Sequence, residues 1–140
     1  MSYSIQYTPE IITNLKPEQI FVYGSNTAGI HGAGAARQAL KWGARMGQDG
    51  FNGQTYGIST KDDSIITLPL DEIHKNVKKF LKFANQNKQF EFLVTKVGMG
   101  LAGLTIRDIG PMFFFALDYS HSNVIMPREF HQFYKLCMDL

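Results

Sequence analysis

Asn26 ends a short apolar run, Phe21-Val22-Tyr23-Gly24-Ser25, and glycines follow it at positions 29, 32 and 34. Ala35 to Leu40 then begins a run of good helix formers. Strand, glycine loop and helix in that order gather bare backbone N–H groups and a positive helix end at one spot, which attracts phosphate. Glycine suits such a loop because a Cβ would block close approach of a ligand and the positive φ values the loop needs. A tight βα turn with nothing bound is the plain alternative. An amide side chain at the carboxyl tip of a parallel strand, as Asn26 would be, sits where α/β sheets bind ligands. His31 lies inside the loop and is either an acid/base at neutral pH or a cap of the loop. A second glycine loop, Gly98-Met99-Gly100-Leu101-Ala102-Gly103-Leu104, follows the β-rich run Phe90 to Val97. No Gly-Lys-Ser/Thr closes either loop, which excludes a P-loop. Gly98 to Gly103 spells G-x-G-x-x-G, but it comes late in the chain with no acidic residue at a strand end about 20 positions on. Lys61 follows the run Tyr56 to Thr60 and fits a counter-charge for phosphate.

The elements that must hold these residues are legible in outline. Ser2 to Thr8 alternates, with Tyr3, Ile5 and Tyr7 on one face, and reads as an edge strand. Ile20 to Tyr23 and Thr55 to Thr60 read as strands, with 47–54 a loop between helix and strand. Asp71 is expected to cap a helix over Glu72 to Gln86, whose Ile73, Val77, Phe80, Leu81 and Ala84 share one face. Lys75, Lys78, Lys79 and Lys82 on its other face read as solvated. Thr105, with Asp108 in the first turn, caps a helix running to about Leu117. Asn123 to Met126 is a last strand before Pro127, and Phe130 to Leu140 a closing amphipathic helix using Phe130, Phe133, Tyr134 and Cys137. Strands alternating with helices imply a mainly parallel sheet covered on both faces, hence one three-layer α/β/α domain over residues 1–140. In such a sheet both glycine loops fall at the same edge and can grip one extended, phosphate-bearing ligand.

The chain of 140 residues is long enough for a real core. Its 44% apolar and 19% charged residues argue against disorder, and a net charge of +2 neither demands nor excludes an anionic partner. A single cysteine, Cys137, cannot form an internal disulfide and fits a reducing compartment. The opening Met1 to Gln6 lacks a basic region and an apolar run, and the longest apolar candidate, Met112 to Leu117, is far too short for a bilayer. A cytoplasmic protein without a membrane segment is the expectation.

Taken together, the two loops resemble the macrodomain family of ADP-ribose-binding modules. Val22-Tyr23-Gly24-Ser25-Asn26 looks like that family's Val-Asn-Ala-Ala-Asn strand end, and His31 to Ala36 falls where its first glycine loop enters a helix. Ser59-Thr60-Lys61 and Gly98 to Leu104 resemble the Ile-Thr-Lys strand and Gly-Cys-Gly-Leu-Asp-Gly-Leu loop of a branch of small macrodomains. That branch removes terminal ADP-ribose from proteins or the 1″-phosphate from ADP-ribose phosphate. The resemblance covers roughly Ile20 to Met112. It implies a macrodomain-like fold and a ligand set of Ser25, Asn26, Gly32, Ala33, Gly34, Thr60, Lys61 and the loop Gly98, Met99, Gly100, Leu101, Ala102, Gly103. Asn26 would bond the distal ribose, the second loop would give N–H donors to the diphosphate, and Lys61 would match the lysine that attacks ribose C1″. The chain departs from the branch at Ala102, where an acid is expected; Asp62 or Asp63 beside Lys61, or His31, would have to substitute. Nor is an early acid evident for the adenine amino group, Glu18 being a poor candidate.

The leading expectation is therefore a module that binds ADP-ribose or a related NAD-derived nucleotide with weak or no turnover, needing no cofactor or metal. Its partners would be that nucleotide or an ADP-ribosylated macromolecule. The enzyme alternative is an ADP-ribosyl hydrolase or an ADP-ribose 1″-phosphate phosphatase using Lys61, Asn26 and His31. A third reading is a nucleic-acid or protein interaction domain, with Trp42, Phe51 or Tyr56 stacking on bases; nucleic acid is not the expected partner.

Overall fold

The computed structural model describes residues 5–26, 34–45, 48–100, 102–118 and 123–139. Five strands form one sheet: β1 (Gln19–Asn26), β2 (Gly50–Asn52), β3 (Thr55–Lys61), β4 (Glu91–Val94) and β5 (Val124–Ile125), in the order β2-β3-β1-β4-β5. β3, β1, β4 and β5 run parallel, and only the edge strand β2 is antiparallel to its neighbour. The helices are α1 (Gly34–Ala39), α2 (Leu70–Asn85), α3 (Ile106–Ile109), α4 (Phe114–Asp118) and α5 (Arg128–Met138).

Alternation along the strands divides the core in two. Ile20 and Val22 of β1, Tyr56 and Ile58 of β3, and Phe92 and Val94 of β4 face α2 through Val77 and Phe80, and the later helices through Ile109, Phe113 and Phe130. Phe21, Tyr23, Leu93 and Ile125 point the other way, onto Ala39, Ala44 and Ile12. Connection geometry explains this division. From β1 the chain moves one way to β3; from β3 it moves back past β1 to β4, and on to β5. A right-handed crossover that reverses direction must change faces. So α1 covers one face, while α2, α3 and α4 cover the other, and the result is a three-layer α/β/α arrangement. Among the described residues no helix is long and apolar enough to cross a membrane.

Several local expectations change. Residues 5–8 form no strand; Tyr7 makes a single parallel bridge to Met126, and Thr8 holds on by N–H to the Met126 carbonyl (2.9 Å) and Oγ1 to that of Ile125 (2.9 Å). Part of the loop over 47–54 is β2, three residues too short to announce themselves. Asp71 is not the cap of α2: Pro69 stands there without a side-chain bond, and Asp71 and Glu72 complement the helix dipole from the first turn. Thr105 does cap α3, in a capping box closed by Asp108. The helix expected through Leu117 is interrupted over Gly110–Phe113, where Pro111 has no N–H to continue it. Of the aromatics considered for base stacking, Tyr56 is 5% exposed and packs on Phe80, and Trp42 packs on Phe21, while Phe51 touches Phe83 but stays 41% exposed.

Candidate functional site

The helix after β1 and the helices after β3 and β4 leave the sheet on opposite faces. A crevice therefore opens at the carboxyl edge beside β1, the place where open α/β sheets bind ligands. β1 and β4 are hydrogen-bonded neighbours running parallel, so both glycine loops do begin at this edge. The end of β1 lies close against the start of the second loop: a Cβ on Gly24 would lie 3.2 Å from the Gly98 nitrogen. Thr95 fastens the pair, its N–H (3.0 Å) and Oγ1 (2.8 Å) both donating to the Val22 carbonyl.

Two cavities occupy this edge. The first, about 550 Å³, takes its walls from Gly24, Ser25 and Asn26 of β1, from Thr60 and Lys61 of β3, and from Gly98, Gly100 and Ala102 of the second loop. The second, about 560 Å³, lies toward β5 and is walled by Glu10, Ile11, Ile12, Gln38, Met99 and Pro127, with Glu129 at its rim. They share Ala35, Thr95, Lys96 and Gly100, and so form one groove with a waist. Ligand pockets are typically about 300–1,000 Å³, so each lobe is large enough for one ring system.

Register places the polar side chains of the first lobe. A β-bulge between Ser25 and Asn26 brings Asn26 opposite Lys61, and Asn26 is buried. Thr60 Oγ1 donates to the Ser25 carbonyl (3.2 Å), holding the two strand ends together. Of the expected ligand set, Ser25, Asn26, Gly34, Thr60, Lys61, Gly98, Gly100 and Ala102 line this lobe, and Met99 lines the second. Gly103 lines neither cavity. His31, Gly32, Ala33 and Leu101 lie outside the described residues.

The loop's amides are not all available to a diphosphate. Met99 N–H donates to the Lys96 carbonyl (3.1 Å) and Gly103 N–H to that of Gly100 (3.0 Å). α1 has only six residues and gives way to a 3-10 turn, so its dipole is weaker than a full helix would supply. The draw for an anion falls instead to two lysines, Lys61 in the first lobe and Lys96 at the waist. Neither aspartate beside Lys61 lines the groove. Asp62 Oδ1 accepts the N–H groups of Ser64 (2.8 Å) and Ile66 (3.0 Å), which ties one carboxylate oxygen to its own turn. Glu18 sits at the start of β1, at the opposite edge, where its carbonyl accepts the Glu91 N–H. Burial, with a smaller push from Asp49, raises the Tyr56 phenol to about 12, so it stays protonated.

Among the lining residues that the sequence does not point to are Glu10, Ile65, Lys96 and Glu129. Glu10 reaches the groove because Thr8 anchors its segment to β5 and Gln38 donates to the Ile12 carbonyl from α1; the break at Pro9-Glu10 marked only the end of a strand. Lys96 resembles any other lysine until β4 pairs with β1. It forms an ion pair with Glu129 at the start of α5. Their hydrogen bond holds Glu129 below the usual carboxylate value of 4.5 and Lys96 above 10.5. A depressed carboxyl adds stability above its unfolded value and loses it as pH falls through the folded one; the raised lysine loses its share as pH climbs past its folded value. Both side chains are more than a third exposed. Glu129→Gln is therefore expected to cost no more than about 1 kcal/mol in urea unfolding at neutral pH. That difference should shrink as pH falls through the lowered carboxyl value, and a cost that persists in strong acid would mean that Glu129 acts through packing.

No family model, curated protein or solved structure matches the chain in sequence or in fold.

Proposed function

We propose that the groove binds ADP-ribose or a closely related NAD-derived nucleotide, free or as the modifying group of a macromolecule, with little or no turnover. One observation carries this reading: two lobes of similar volume joined at a waist where glycine backbone and a lysine meet. A nucleoside diphosphate sugar has the matching outline, a ring system at each end and two phosphates between them. In this reading the distal ribose lies in the first lobe, with its hydroxyls on Asn26. The diphosphate passes Gly98 and Gly100 with Lys61 and Lys96 on its flanks, close backbone approach being what glycine permits. The base enters the second lobe between Ile11, Met99 and Pro127, where the Glu10 carboxylate can accept from an exocyclic amine. Turnover would require an acid or base near Lys61; Ala102 offers none, and Asp62 lines neither lobe and has Oδ1 bonded within its own turn.

Thermal shift and titration calorimetry with ADP-ribose, NAD and ADP test the reading. At 100 times its dissociation constant a ligand stabilises the fold by about 2.7 kcal/mol. A shift of several degrees with ADP-ribose, and a smaller one with ADP, is expected. Absence of both heat and shift at millimolar nucleotide would sink the proposal.

A further inference from the structure

Ile65 lines the first lobe from a turn that gives no structural reason for an isoleucine. The turn leaves β3 and doubles back. Lys61 bridges to Thr67, Asp62 N–H donates to the Ile66 carbonyl (2.8 Å), Ile65 N–H to the Asp62 carbonyl (3.0 Å), and Leu68 N–H to the Thr60 carbonyl (2.8 Å). With the Asp62 carboxylate closing it from inside, the turn is fixed, and it forces Ile65 to a φ of +62°. Among the described residues Ile65 is the only non-glycine with positive φ. That region clashes with a Cβ, most of all a branched one, whereas glycine or asparagine adopts it readily.

The side chain adds nothing to either core in return for this strain. Ile65 belongs to neither core cluster and is 42% exposed. Strain held by a well-pinned turn at the wall of a cavity points to a role for the side chain there. The turn is also tied to the second glycine loop, since Thr67 Oγ1 donates to the Ala102 carbonyl (2.9 Å).

We infer that Ile65 is a specificity residue, an apolar wall against the carbon face of the sugar in the first lobe, which selects a sugar-terminated nucleotide over the bare nucleoside diphosphate. This rests on the nucleotide reading above and adds to it the choice between ADP-ribose and ADP. A sugar ring presents C–H groups between its hydroxyls. Asn26 and Lys61 can take the polar atoms, while the ring carbons need a surface that displaces water without competing for hydrogen bonds.

The test compares Ile65→Asn, which tolerates the turn but loses the apolar wall, with Ile65→Val, which keeps both the strain and most of the wall. Ile65→Asn is expected to raise the melting temperature by roughly 2–4 °C. It should also weaken ADP-ribose binding roughly tenfold, the effect of losing one well-placed apolar contact, and leave ADP binding unchanged. Ile65→Val should track the parent protein in every measurement. A lower melting temperature in Ile65→Asn would make Ile65 a structural residue and overturn the inference. Unchanged ADP-ribose affinity, or equal losses for ADP-ribose and ADP, would overturn it while leaving the nucleotide reading intact. If the parent protein binds neither nucleotide, both fall together.

Discussion

Gly100→Val should give a folded protein that no longer binds nucleotide. The substitution separates the two roles a glycine loop can have. A Cβ on Gly100 meets no described atom within 4 Å, and Gly100 does not have the left-handed φ of Gly98 (+76°) or Gly103 (+75°). Valine therefore fits the loop, and stability should change by no more than about 0.5 kcal/mol, as for surface sites without special features. Yet Gly100 lines both lobes, so three added carbons would stand at the waist where, on the proposed reading, two phosphates pass. The expected loss exceeds 100-fold in ADP-ribose affinity, about 2.7 kcal/mol or more. Gly98→Val would be far less informative: its Cβ would come within 2.9 Å of Leu104 Cδ1 at a backbone angle that valine resists, and damage to the fold would mimic loss of binding. Calorimetry on Gly100→Val, with circular dichroism and a melting curve to establish folding, decides the matter. A folded variant that binds ADP-ribose like the parent would show that the loop is only a turn.

That Gly100 could be singled out from the sequence shows which level of structure is written locally. Phe21 to Asn26 and Phe90 to Val97 announce strands through apolar and β-branched residues, and a glycine-rich loop follows each. Once strands alternate with helices, parallel pairing follows, and with it a shared edge for both loops. What the local pattern cannot carry is the neighbour each strand finds. β4 stops at Val94 rather than Val97 because Thr95 turns both its N–H and its hydroxyl onto one carbonyl of β1. Lys96 reaches the waist as a consequence of that turn. Glu10 reaches the second lobe only because a bridge to Met126 pulls its segment across β5. Ile65 lies hidden for a different reason: nothing in Asp62-Asp63-Ser64-Ile65 signals a positive φ, and a turn-former scan passes over an isoleucine. Tyr56 illustrates the opposite error. It counted among the aromatics for a stacking surface, but strand periodicity points it into the core with Phe80.

Lys61→Ala is the substitution at which binder and enzyme part. Lys61 closes β3, stands opposite Asn26 across the bulge and lines the first lobe. A cation so placed either pairs with phosphate or attacks the sugar at C1″. Attack demands the free amine and a partner that takes its proton and later returns it. The adjacent acid, Asp62, has Oδ1 bonded to the amides of Ser64 and Ile66, and position 102 carries a methyl group. Glu129, the carboxylate at the groove's far rim, is held by Lys96. On the binding reading Lys61 pairs with phosphate, and its loss is expected to weaken ADP-ribose binding by roughly 1.5–3 kcal/mol, the range for a hydrogen bond to a charged group. Lys61→Arg, which keeps the charge, should recover part of that loss. As the contact is ionic, the gap between parent and Lys61→Ala should also narrow as salt is raised. Turnover assays on the same proteins supply the decisive contrast. Should the parent release ADP-ribose from a modified protein, or phosphate from ADP-ribose 1″-phosphate, and Lys61→Ala abolish that release, Lys61 is a nucleophile and the protein an enzyme.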